Sequence, residues 1–134
     1  MEVNIRYQGN ARFEAVARGH SVVSDQPASN GGEDAGMTPP ELLLSALGTC
    51  AGYYAAQYLK ARSLSAEGLA IHVAAEKAAQ PARLAQFRIE VALPGLDPAH
   101  EAGLLRAVNA CLIHHTLCHT PSIETLFQNP AAVG

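Results

Sequence analysis

The sequence predicts an α+β fold in which antiparallel sheets pack around central helices. Three observations carry that expectation. Two pairs of segments alternate apolar and polar residues as strands do, and each pair is joined by a turn signal. Two further segments open with a capping residue followed by proline, as helices do. The order is hairpin, helix, hairpin, helix, without the strand–helix alternation that builds a parallel sheet.

Each element has its own signal. Val3, Ile5 and Tyr7 alternate with Asn4, Arg6 and Gln8, Gly9-Asn10 turns the chain, and residues 12 to 18 alternate again through Phe13, Ala15 and Ala17. Val22-Val23 predicts a short third strand. Residues 24 to 36 hold Asp25, Pro27, Asn30, Gly31, Gly32 and Gly36, so a long polar loop is expected there, a common carrier of function. Thr38, Pro39 and Glu41 predict a helix start with a capping box. That helix is apolar on all sides from Leu42 to Ala56, which suits a central buried position, and it is expected to end near Lys60-Ala61-Arg62. Leu69, Ile71 and Val73 predict a strand, Gln80-Pro81 a turn, and residues 84 to 93 a second strand closed by Pro94-Gly95. Asp97 and Pro98 open a second long helix whose apolar face runs through Leu104, Leu105, Val108, Cys111 and Leu112. Pro121 must end any helix, and residues 123 to 127 read as a final short strand.

The chain's 134 residues suit a single domain, 1–134, that buries about two thirds of its unfolded surface. Charged residues make up only 16%, which leaves apolar surface for another subunit to cover. The net charge of −3 gives no basic footprint for nucleic acid and no polybasic patch for a membrane surface. The first residues alternate like a strand rather than a signal peptide, and the apolar run 42–56 is too short to span a bilayer. A cytoplasmic location is therefore expected, with Cys50, Cys111 and Cys118 as reduced thiols.

Cys50 and Cys111 stand in apolar, helix-like segments. They read either as a redox pair or as small residues filling a core. Nucleophilic chemistry needs a thiolate. The residues one turn from Cys50 (Ala46, Leu47, Tyr53, Tyr54) bring no positive charge, and the position is mid-helix, so a distant cation would have to activate it. Leu43, Leu47, Tyr53 and Tyr54 would supply an apolar pocket wall, or plain core. His114, His115, Cys118 and His119 raise a metal reading, because Cys111, His115 and His119 would share one face of a continuous helix. No acid follows nearby to orient the imidazoles and Pro121 limits the helix, so no metal is expected. Cys118 would lie about 10 Å from Cys111 along a helix, too far for a disulfide.

The segment Gly31-Gly32-Glu33-Asp34-Ala35-Gly36, followed by residues 40–50 (PELLLSALGTC), resembles the first-cysteine region of the OsmC/Ohr family, named for osmotically inducible protein C and organic hydroperoxide resistance protein. Cys111-Leu112-Ile113-His114-His115-Thr116-Leu117, followed by Pro121 and Ile123, resembles its second-cysteine region. The resemblance implies an OsmC/Ohr-like fold, an intertwined homodimer with active sites at the subunit interface, and thiol peroxidase activity on organic hydroperoxides. By it, Cys50 attacks the peroxide and Cys111 resolves through an intramolecular disulfide. An external dithiol reductant restores the pair, and no cofactor is needed. It also implies an arginine that holds the attacking thiolate, matched best by Arg12 and next by Arg18, and a helical glutamate that orients it, matched by Glu41. Two departures point to the OsmC-like branch. Glu41 stands one position nearer the first cysteine than in the peroxidase branches, about 100° of helix rotation, and Leu112 follows the second cysteine where proline is usual. The alternatives are a non-enzymatic OsmC-like protein that binds a small apolar ligand at the dimer interface, and a metal module at residues 114–119.

Overall fold

The computed structural model describes residues 1–129. Strands β1 (Asn4–Tyr7), β2 (Phe13–Ala17) and β3 (His20–Ser24) form one antiparallel sheet in the order β1-β2-β3. Helix α1 (Pro39–Ala61) follows, then an antiparallel hairpin of β4 (Ala70–Ala78) and β5 (Arg83–Ala92). Helices α2 (Glu101–Asn109) and α3 (Leu112–Cys118) complete the chain. The predicted α+β architecture, antiparallel sheets with central helices, is the one observed.

The start of α1 is built as its sequence demands. Thr38 Oγ accepts the Glu41 N–H, while Glu41 Oε1 accepts the Thr38 N–H at 2.9 Å and the Thr38 hydroxyl proton at 2.8 Å. One stripe of α1, Leu47, Ala51, Ala55 and Leu59, is buried at fourfold spacing. It packs with Leu104 and Val108 of α2, backed by Ile71, Ile89 and Val91 of the hairpin. Gly48 and Gly52 let β4 approach closely: a β-carbon at Gly48 would lie 3.0 Å from Val73 Cγ2. Where α1 meets α2, Gly103 leaves room for the Tyr58 ring, whose hydroxyl hydrogen-bonds His100 Nδ1 at 3.1 Å.

Three expectations need correction. The second long helix is broken. Asp97 and Pro98 open a single 3₁₀ turn, α2 ends at Asn109, and Cys111 is extended (φ −60°, ψ 136°) before α3 begins. Asn109 is a weak helix former, and the Cys111 sulfur accepts the His114 N–H at 3.5 Å, so the chain starts a new helix there. Residues 123–127 form no strand; Ile123, Leu126 and Phe127 are 85%, 74% and 90% exposed. Helix α1 is buried on one side only, with Leu43 and Tyr53 exposed.

The same incompleteness marks the first sheet. Register places Ile5 opposite Ala15, Tyr7 opposite Phe13 and Ala15 opposite Val22. One face is therefore apolar, yet Val3, Ile5, Tyr7, Phe13 and Val22 are all exposed. The chain exposes 10049 Å², against about 6,700 Å² for a compact monomer of 14.1 kDa. No helix among the described residues is long and apolar enough to cross a membrane.

The loop between β3 and α1 is folded around one buried carboxylate. Asp25 Oδ1 accepts the Gln26 N–H at 2.7 Å, and Oδ2 accepts the N–H groups of Ala35 at 3.0 Å and Glu33 at 3.2 Å. These bonds hold its carboxyl below the usual range: Ala35 and Gln26 contribute most, burial opposes them, and Glu33 and the Arg12 charge add to the lowering. A β-carbon on Gly32 would overlap the Gln26 carbonyl. Gly32→Ala is therefore expected to lower unfolding stability by about 1–3 kcal/mol, read as a fall in the urea midpoint.

Candidate functional site

The α2–α3 break places Cys111 against α1. Cys111 is fully buried and Cys50, on α1, is half-buried. All three cysteines are free thiols. The environments of the pair differ in sign. Burial raises the Cys50 thiol pKa, but hydrogen bonds from the Cys111 thiol and from the N–H groups of Ile113 and Leu112 outweigh it, leaving Cys50 below its ordinary range. Burial raises Cys111, and the bond it gives to Cys50 and the Cys50 charge raise it further, against the N–H groups of His114 and Ile113. One sulfur is thus prepared as a thiolate and the other holds its proton.

Within the single chain, the groups that lower the Cys50 pKa are Cys111, Ile113 and Leu112. Cys50 is mid-helix, but the N–H groups of Leu112 and Ile113, the first residues of a different helix, α3, lower its pKa. Arg12 takes no part in the Cys50 shift. Its Nη2 pairs with Glu33 Oε2 at 2.9 Å, and its Nε is buried without a hydrogen-bond partner among the described residues. Arg18 sits at the β2–β3 turn with φ 52°, exposed. The Glu41 carboxylate is occupied by Thr38, whose N–H and hydroxyl hold it below the usual carboxylate range. Within the chain Arg12 pairs with Glu33, and Glu41 with Thr38.

An apolar groove of about 510 Å³ lies between α1, β5 and α3, lined by Leu43, Leu47, Phe87, Ile89, His114 and Leu117 among others. Leu43 and Leu47 stand seven and three positions before Cys50 on α1, toward the same side of the helix; neither Cys50 nor Cys111 is among the residues that line the groove. Tyr53 and Tyr54 do not line it; their rings meet edge-on at 5.5 Å, with Tyr53 exposed. The histidines do not share a face with Cys111, which precedes α3. The His115 ring lies 6.1 Å from that of His114 and 5.8 Å from that of His119. Among the described residues no three His, Cys, Asp or Glu side chains are placed to hold a metal ion.

The sequence did not point to the α3 N–H groups, to Asp25 as the loop's centre, or to Glu33 as the partner of Arg12. Asn109, weak in helices, was the one available sign of the break that makes the first of these possible. The resulting chemistry is directly testable. Alkylation of Cys50 by iodoacetamide is expected to rise with pH and reach half its maximum at a lower pH than a free cysteine, while Cys111 reaches it at a higher one. Peptide mass mapping of the labelled cysteines reads both rates.

Comparison with known proteins agrees with this architecture. The family model described as OsmC-like protein matches residues 31–126. A Psychrobacter arcticus protein ascribed to the osmotic-stress and detoxification response superposes with a TM-score of 0.78 at 20% identity, over 85% of each chain. An OsmC-like protein from Mycoplasma pneumoniae gives 0.73 at 17% identity, covering 89% of this chain and 87% of that one. An organic hydroperoxide resistance protein, OsmC, from Legionella pneumophila gives 0.60 at 17%, covering 89% and 90%. No curated protein matches the sequence. The matched segment takes in the Asp25 loop's glycines, all of α1, the β4–β5 hairpin and both paired cysteines, and on that ground the chain belongs to the OsmC-like family.

Proposed function

We propose that this protein is a cysteine-based thiol peroxidase that reduces organic hydroperoxides. The observation that carries the reading is the opposite tuning of two adjacent thiols, Cys50 toward thiolate and Cys111 toward thiol. That polarity suits an attacking and a resolving cysteine. The Cys50 thiolate attacks the terminal peroxide oxygen and becomes a sulfenic acid, releasing an alcohol. Cys111 then condenses with it to a disulfide and water leaves. An external dithiol returns the pair to thiols by exchange, and no cofactor enters. Such a cycle suits a reducing compartment such as the cytoplasm. The apolar groove beside Leu43 and Leu47 favours a carbon-bearing peroxide over hydrogen peroxide.

The working unit is a homodimer. The uncovered apolar face of β1–β3, the exposed side of α1 and the excess surface of the single chain all favour a partner of the same kind. The peroxidase reading is tested by following consumption of cumene hydroperoxide and hydrogen peroxide with dihydrolipoamide or glutathione as reductant. Catalytic loss of cumene hydroperoxide with the dithiol, at least tenfold faster than hydrogen peroxide, is expected, about the discrimination an apolar pocket gives. Binding of apolar ligands with no peroxide consumption would favour the non-enzymatic alternative, for which the same groove is the relevant observation.

A further inference from the structure

Helix α3 is the least anchored of the three α-helices. Helices α1 and α2 both bury residues in the core, whereas none of the seven residues of α3 is fully buried. A helix that short is marginal without outside support, and few buried contacts make local opening easy. Its support comes from sulfur. Cys111 is the N-cap residue, and its fully buried Sγ accepts the His114 N–H at 3.5 Å. The N–H groups of Leu112 and Ile113 favour the thiolate of Cys50. Three N–H groups of the first turn, which have no partner within the helix, thus act on the two cysteine sulfurs. Beyond them stand backbone bonds such as His115 N–H to the Cys111 carbonyl and His119 N–H to the His115 carbonyl, both 3.0 Å.

This arrangement ties the state of the thiols to the state of the helix. What α3 does for the Cys50 anion, the anion does for α3, because coupling between two equilibria is reciprocal. A disulfide carries no anionic sulfur, and neutral sulfur is a weak acceptor. Joining Cys50 to Cys111 therefore withdraws negative charge from the N-terminus of α3 and weakens its cap in one step.

Reduction of that disulfide poses a problem of access. A reductant's thiolate attacks faster where the sulfur expelled has the lower thiol pKa. Cys50 is that leaving group, so Cys111 is the favoured point of attack. Yet Cys111 is fully buried. Of the helices that meet at the pair, α1 and α2 carry the core, and α3 is the one free to give way.

Resting on the thiol pair of the peroxidase reading above, we infer that disulfide formation loosens α3 and so opens Cys111 to the external dithiol. One thiol of the reductant loses its proton to solvent and attacks Cys111 Sγ. A new S–S bond forms there as the Cys50–Cys111 bond breaks, and Cys50 leaves with the electron pair as a thiolate. The reductant's second thiol then attacks its own sulfur in the mixed disulfide. Cys111 leaves with that electron pair and takes up the second thiol's proton. The reductant departs as a cyclic disulfide, having given two electrons to the protein. Cys50, an anion again, supports α3, and Cys111 is buried once more.

The test forms the disulfide without a peroxide. Diamide, a two-electron thiol oxidant, joins the pair in the wild-type protein, and intact mass confirms it. Amide hydrogen exchange is then compared between the reduced and oxidised forms. The amides of α3, His115 among them, are expected to exchange ~5- to 30-fold faster in the disulfide form, the effect of losing a helix cap. Those of Ala55 and Leu104 are expected to stay within about twofold. Oxidised protein is next mixed with β-mercaptoethanol, quenched in acid before turnover is complete, and mapped by mass. The mixed disulfide is expected on Cys111, with Cys50 free. Exchange in α3 that is equal in both forms, or slower in the oxidised one, would overturn the inference, as would a mixed disulfide on Cys50. Failure of diamide to join the two cysteines would overturn the redox pairing and this inference together. Cumene hydroperoxide left intact by a protein that passes the diamide test would overturn the peroxidase reading alone.

Discussion

Cys50→Ser is expected to stop hydroperoxide turnover, a loss on the order of 10⁴-fold or more, as when the nucleophile of other covalent catalysts is removed. The size follows from the division of labour between the two thiols. Of the two, Cys50 is the one favoured as a thiolate, its pKa lowered, against burial, by the Cys111 thiol and the Ile113 and Leu112 N–H groups. A serine hydroxyl there has no accessible anion, so the three donors have nothing to stabilise. Cys111→Ser behaves differently. A serine can still donate a hydrogen bond to Cys50, so the first turnover is expected within about tenfold of wild type. It cannot form a disulfide, so the reaction stalls after one equivalent with Cys50 as a sulfenic acid, which dimedone captures. Continued turnover in Cys50→Ser would remove that residue from the attacking role.

Ile5→Asp and Tyr7→Asp are expected to abolish the proposed dimer. In the single chain Ile5 and Tyr7 are 59% and 64% exposed and belong to the apolar face of the β1–β3 sheet. That sheet has no core of its own within the chain, and an unpacked three-stranded sheet is marginal in water. The chain exposes about 3,300 Å² more than the compact expectation, part of it at the exposed residues 123–127 and part at this sheet. A carboxylate buried without a partner costs several kcal/mol, and each dimer would carry it twice. The expected result is at least a ~10³-fold rise in the dissociation constant. Sedimentation velocity reads the species present, and a urea midpoint that rises with wild-type concentration reads the linkage between folding and assembly. A wild type that sediments as a stable monomer at micromolar concentration would contradict this account of the exposed face.

What sequence reveals and what it hides separate along physical lines. Thr38, Pro39 and Glu41 specify the start of α1 because a capping box is a local interaction within four residues. The hairpins follow from alternation and turn residues, which are equally local. The α2–α3 break was hidden because its cause is tertiary: Cys111 turns inward to meet α1, and the apolar pattern of residues 104–112 reads as unbroken helix. The choice of Glu33 over Glu41 as the partner of Arg12 depends on how the Asp25 loop folds, which no spacing rule encodes. The missing strand at 123–127 has a different cause. Its residues carry the right pattern, but a strand exists only where it pairs with another, and within the chain residues 123–127 pair with none.

The opposed tuning of Cys50 and Cys111 is the central claim, and intact mass after one equivalent of cumene hydroperoxide tests it most directly. The wild-type chain is expected to become about 2 Da lighter and to lose two titratable thiols, the signature of an intramolecular disulfide. Cys111→Ser should instead gain about 16 Da as a sulfenic acid, and Cys50→Ser should not change. An unaltered wild-type mass with all thiols still free, under conditions that oxidise a reactive cysteine, would show that the pair is packing and that the polarised site does no redox chemistry.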